Sequence, residues 1–140
     1  MSPSAMSDAT HTVLVFSQDP DVREQVRSAV GPRPAGDLGR ISYVEAATGE
    51  DVVAWVDTGR IDLAILDGEA QPTGGMGVAR TIRQECAQQP LLCVLIRRRD
   101  DRWLATWSQV DGTIMYPIDP VTAAGSVAAL LRQAAGSPSR

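Results

Sequence analysis

The chain of 140 residues contains no lysine, so every fixed positive side-chain charge in it is an arginine. A P-loop is thereby excluded, because its lysine reaches the nucleotide phosphates. Histidine occurs once, as His11, and cysteine twice, as Cys86 and Cys93. That set is too small for a structural zinc site, and the two cysteines read as small buried hydrophobes, with a regulatory disulfide the lesser alternative. No apolar run approaches the length of a membrane span, and the Ser/Ala/Asp-containing start lacks the charged and apolar regions of a signal peptide. A cytoplasmic location without direct membrane insertion is expected. A net charge of -4 gives no electrostatic reason to expect a nucleic-acid partner. Low-complexity tracts are absent, and 44% hydrophobic residues suit one globular domain.

What is present is an alternation of strand and helix patterns, repeated five times. Thr12 to Phe16 is the first strand. Asp19 caps a helix with Pro20 at its first position and Val22, Val26 and Val30 along one side. A Pro/Gly-rich loop from Gly31 to Arg40 leads to a strand at Ile41 to Ala46 and a short helix from about Glu50 to Asp57, in which Trp55 is expected to fill core or groove. Ile61 to Asp67 is an apolar run closed by a carboxylate, the mark of a strand buried on both faces. A helix through Val78, Ala79, Ile82 and Arg83 follows a Gly/Pro loop, and Leu91 to Ile96 is the fourth strand. A helix with Trp103, Leu104 and Trp107 precedes a fifth strand, Gly112 to Tyr116. Asp119-Pro120 repeats the cap of Asp19-Pro20 before a last helix carrying Val127, Leu130 and Leu131. Residues 1–10 and 135–140 read as flexible ends around a domain at 11–134. This order predicts an α/β fold with a doubly wound parallel sheet.

In such sheets ligands gather at the carboxyl ends of the strands, which is where Asp67 falls. The Gly74-Gly75-Met76-Gly77 turn lacks the spacing of a dinucleotide fingerprint and reads as a backbone turn. A flavin mononucleotide site needs a hydroxyl- and glycine-rich loop after the first strand. The acidic Ser17-Gln18-Asp19-Pro20-Asp21 segment repels phosphate instead. No cofactor and no metal are expected.

From Thr12 to Arg132 the chain resembles the receiver domains of two-component response regulators. Asp67 stands at their phospho-acceptor position, Pro72 and Gly75 in their following loop, Val22-Arg23 and Arg80-Thr81-Ile82-Arg83 in their first and third helices, and Tyr116-Pro117 where they have Lys-Pro. The resemblance implies a flavodoxin-like (CheY-like) sheet of order 2-1-3-4-5. It also exposes departures. The acidic pair that holds Mg²⁺ in receivers corresponds to Ser17 and Gln18, with Asp19 and Glu69 as the nearest substitute ligands. The hydroxyl residue of the fourth strand corresponds to Leu95, the lysine to Tyr116 and the aromatic switch to Thr113. Arg97, Arg98 and Arg99 either reach over the site or form a solvated loop, the latter expected because charge clusters are commonly surface. Mg²⁺ is normally held by carboxylates, and phosphoryl transfer depends on positioning and electrostatics. A degenerate receiver, not an enzyme, is therefore expected.

Trp103 and Trp107 share one helix side at i, i+4 spacing and either tuck into the domain or present partner-binding anchors, with Ile118 extending the patch. A narrower resemblance rests on Tyr43 to Gly49, Asp62 to Ala70 and Pro72 to Gly77. These runs look like orphan receiver-like proteins that accompany respiratory complex I, the proton-pumping NADH dehydrogenase, in some high-GC bacteria. That resemblance implies a protein-binding accessory subunit on the cytoplasmic side of the plasma membrane. Two other functions remain open: a stand-alone phospho-acceptor served by a histidine kinase, and a small-ligand sensor using the pocket around Ser17, Gln18, Asp67 and Tyr116.

Overall fold

The computed structural model of the chain describes residues 10–68, 75–97 and 109–135. Five strands run in the order β1 (His11–Phe16), β2 (Ile41–Ala46), β3 (Leu63–Asp67), β4 (Leu91–Ile96) and β5 (Gly112–Met115). They form one all-parallel sheet arranged β2-β1-β3-β4-β5, the expected topology. Four described helices accompany them: α1 (Pro20–Val30), α2 (Gly49–Asp57), α3 (Gly75–Glu85) and α4 (Pro120–Ala135).

The alternation of strand side chains splits the core in two. Val13, Val15, Leu63, Ile65, Cys93 and Leu95 face α1 and α4, which contribute Val26, Val30, Val127 and Leu131. Leu14, Phe16, Ala64, Leu66, Val94 and Ile96 face α2 and α3, met by Val52, Val56, Val78 and Ile82. Every residue of β3 is buried, as its uninterrupted apolar run requires. Each fully buried Leu, Ile or Val contributes about 1.5–3 kcal/mol, against about 0–1 kcal/mol for an exposed ion pair, so the two apolar layers decide the fold.

Local signals act where expected. Asp19 accepts the Asp21 N–H at 2.9 Å and Pro20 opens α1; Asp119 accepts the Thr122 N–H at 2.9 Å before α4. Gly31 ends α1 with φ at 79°, its N–H bonded to the Arg27 carbonyl. Three expectations are corrected. Strand β3 begins at Leu63, since the Asp62 side chain takes the Thr12 N–H at 2.8 Å and Ile61 packs under α2. Strand β5 ends at Met115, one residue before Tyr116. Trp55 is 37% exposed rather than core, because Val52 and Val56 already fill the inward side of α2. The cysteines are both free and buried, and they belong to opposite faces of the sheet, which excludes a disulfide between them in this fold. Burial raises the Cys93 thiol to about 12, keeping it protonated.

Candidate functional site

The carboxyl ends of β1, β3 and β5 converge on Asp67. Among the described residues, the buried polar or charged side chains are Ser17 and Asp67, and they bond each other. The Ser17 hydroxyl donates to Asp67 Oδ2 at 2.7 Å, and the Tyr116 hydroxyl donates to Oδ1 at 3.1 Å. Thus both carboxylate oxygens are met by neutral donors from the strands on which receivers place their metal-binding acids and their lysine.

Ser17 is itself fixed from three sides. Its Oγ accepts the Asp19 N–H at 3.1 Å, its own N–H bonds the Ala46 carbonyl at 3.2 Å, and its carbonyl accepts Arg23 Nη1 at 2.6 Å. Arg23 is held in turn by Glu45 on β2 at 2.8 Å. The Val22-Arg23 motif therefore buttresses the loop that carries Ser17. Gln18 is exposed. Asp19, considered as a substitute metal ligand, caps α1 and supplies its N–H to Ser17.

On the other flank, Asp67 pairs in register with Leu95, whose side chain is fully buried in the α1/α4 layer and carries no donor. The Gly68 N–H bonds the Leu95 carbonyl at 2.9 Å, and a Cβ on Gly68 would stand 2.5 Å from that oxygen. Only glycine permits the chain to leave β3 along this path. Thr113 lies half-buried on β5 and pairs with Val94.

Arg97 is exposed, as a solvated position would be, and its guanidinium also stacks 4.7 Å from the centre of the Tyr116 ring. The stack covers the outer side of the tyrosine that bonds Asp67. Arg98, Arg99, Glu69, Pro72, Trp103 and Trp107 lie outside the described residues, so neither the arginine run as a whole nor the tryptophan surface is placed. Ile118 is half-buried against the α1/α4 core layer, dividing its surface between core and exterior. The Tyr116–Pro117 peptide bond is cis.

Three roles escaped sequence reasoning. Arg23 as a brace for Ser17 and Tyr116 as a donor to Asp67 had a signal, since both occupy motif positions. Arg83 had only its place in α3. It donates to the Gln109 and Pro90 carbonyls, to Gln89 and to Asp111, tying α3 to the approach to β5.

Mg²⁺ requires near-octahedral oxygen ligation, usually including carboxylates. The described residues hold no cluster of three or more His, Cys, Asp or Glu side chains suited to a metal. Ser17 spends its proton on Asp67 and accepts the Asp19 N–H, so among the described residues the donor set does not fit the receiver metal site.

This sheet order, with an acid at the end of the central strand and helices on both sides, is the flavodoxin-like arrangement that receivers share. No family model matches the chain. The chain is 48% identical over 120 residues to uncharacterised response regulatory proteins of two Mycobacterium tuberculosis strains, covering 86% of this chain and 90% of theirs. It belongs to the response-regulator family and is a receiver-like protein. Solved structures agree on the fold. A putative response regulator of Chloroflexus aurantiacus superposes with a TM-score of 0.76 at 19% identity, covering 89% of this chain and 99% of that one. The chemotaxis response regulator CheY4 of Vibrio cholerae gives 0.71 at 16% identity, covering 87% and 99%. No helix among the described residues is long and apolar enough to cross a membrane.

Proposed function

We propose that this receiver works as a non-catalytic protein-interaction module that does not run a phosphorylation cycle. The observation that carries the reading is the closure of both Asp67 oxygens by the Ser17 and Tyr116 hydroxyls. A phospho-acceptor needs an oxygen presented for attack, a cation to neutralise the transferred group and a donor to hold it. Here the attacking group is engaged by neutral donors, Ser17 and Gln18 stand at the positions of the metal-holding acids, and Leu95 offers no hydroxyl. Incubation with acetyl phosphate and Mg²⁺ followed by intact-mass analysis tests this. An unmodified mass is expected; a stoichiometric phospho-adduct that disappears in Asp67→Asn overturns it.

The partner proposed is respiratory complex I, with the protein as an accessory subunit reached from the cytoplasmic side. This part rests on the sequence runs Tyr43 to Gly49, Asp62 to Ala70 and Pro72 to Gly77 alone. The tagged protein, recovered from membranes, is expected to bring NADH dehydrogenase subunits with it.

A second reading, a stand-alone phospho-acceptor in a phosphorelay, is favoured by one specific feature. Asp67 is retained at the carboxyl end of β3 within a chain 48% identical to proteins named as response regulatory. Recovery of a histidine kinase in place of dehydrogenase subunits, together with the phospho-adduct, supports that reading instead.

A further inference from the structure

The chain contains no asparagine, and two of its aspartates, Asp67 and Asp111, are followed directly by glycine. An aspartyl–glycyl linkage is chemically labile, because glycine has no side chain to hinder its own amide nitrogen as that atom approaches the preceding carboxyl carbon. The N–Cγ bond forms, the amide hydrogen and the carboxyl hydroxyl leave as water, and a succinimide ring closes. Water then opens one of the two ring carbonyls. One opening restores aspartate; the other routes the main chain through the former side chain as isoaspartate.

We infer that Asp111–Gly112 is the isoaspartate-forming site of the folded protein, with Arg83 as its restraint. The fold treats the two Asp-Gly pairs differently. Asp67 is buried at the end of the central strand, and each of its carboxylate oxygens accepts a hydroxyl, at 2.7 and 3.1 Å. The Gly68 amide that would attack it is bonded to the Leu95 carbonyl at 2.9 Å. Both reacting groups are therefore held. Asp111 instead lies in an exposed bend just before β5, the outermost strand. Its two bonds, from Arg83 Nη2 at 2.7 Å and from the Leu92 N–H at 2.8 Å, fall on the same oxygen, Oδ2. The carboxyl carbon can pivot about that one anchored atom, with water at hand to open the ring. Arg83 holds the anchor because it is itself fixed on Gln89 and on the Pro90 and Gln109 carbonyls.

Packing keeps the labile pair in place. Asp111 is the acceptor for Arg83 and for the Leu92 N–H, and a Cβ on Gly112 would stand 3.2 Å from Leu130 Cδ1, tighter than ordinary contact. Conversion lengthens the main chain by one methylene ahead of β5 and moves the carboxylate off Oδ2's position, while leaving its charge. The tie between α3 and the approach to β5 is then released by elapsed time rather than by a ligand. The inference does not depend on the proposed interaction role or on its partner.

The test ages the full-length protein at neutral pH and body temperature, in parallel with a sample unfolded in concentrated urea. Isoaspartate is located in digests by electron-transfer fragmentation and by uptake of ¹⁸O from labelled water. In urea both aspartates are expected to convert at similar rates. In the folded protein conversion is expected at Asp111 and not at Asp67. Arg83→Gln should speed conversion at Asp111 about tenfold or more, as loss of a charged hydrogen bond implies, and leave Asp67 unchanged. Asp67 thus serves as the internal gauge of unfolding in the variant. Three results each overturn the inference: folded protein unconverted at Asp111 after the urea sample has converted, conversion at Asp67 as fast as at Asp111, or Arg83→Gln that leaves Asp111 unchanged or raises both sites equally.

Discussion

At the amino end of the sheet, Asp62 and Asp111 each accept a backbone N–H from the start of a neighbouring strand, Thr12 and Leu92, at 2.8 Å. At the carboxyl end, Asp67 is met by two side-chain hydroxyls, from residues just beyond β1 and β5. The first arrangement answers a structural need, since a strand's opening N–H otherwise lacks an acceptor. The second serves side chains, the carboxylate accepting the Ser17 and Tyr116 hydroxyls. The neutral donors also explain why such an acid persists in the interior: a buried carboxylate without hydrogen bonds is far more costly than one with them.

This contrast is open to direct attack. The largest effect is expected at the structural end. Asp111→Ala removes the carboxylate partner of Arg83 and the acceptor of the Leu92 N–H together, and should lower unfolding stability by about 2–4 kcal/mol in urea titrations. A loss below that of Ser17→Ala would remove the distinction between the two ends. Ser17→Ala deprives Asp67 Oδ2 and the Asp19 N–H of their partner and should cost about 1–3 kcal/mol, with the sheet intact by circular dichroism.

The smallest effect lies at the surface. Arg132 beside Asp37, bonded at 2.8 Å through two nitrogens, holds that carboxyl down to about 2, against an ordinary value near 3.8. A depressed folded-state value means that the contribution is full above the ordinary value and is lost as pH falls through the folded one. Acid titration between pH 4 and 2 should therefore show a shallow loss of stability that is missing in Asp37→Asn. The exposure of both side chains keeps the effect small.

How legible these features were in the sequence follows the same division. The strands of β1, β3 and β4 announced themselves by apolar runs too continuous for a one-sided sheet, and the caps Asp19 and Asp119 by their following prolines. Asp67 was placed by its position at the end of such a run. Trp55 misled because a short helix such as α2 carries only a narrow inward stripe, already filled by two valines. The Tyr116–Asp67 bond and the Arg97 stack depend on how β4 and β5 lie side by side and on where the chain turns after them. No spacing along the sequence encodes that juxtaposition. Residue identity alone showed that the chain has no lysine; the fold showed that the Tyr116 hydroxyl bonds Asp67.

The central claim, that neutral hydroxyls have taken the places of cation and lysine around Asp67, is tested most directly by adding Mg²⁺ and beryllofluoride to the labelled protein and recording the amides of Ser17, Asp67, Gly68 and Tyr116. The account predicts spectra that do not change, with the two hydroxyls remaining on the carboxylate. Saturable, Mg²⁺-dependent shifts at those amides that vanish in Asp67→Asn would contradict it.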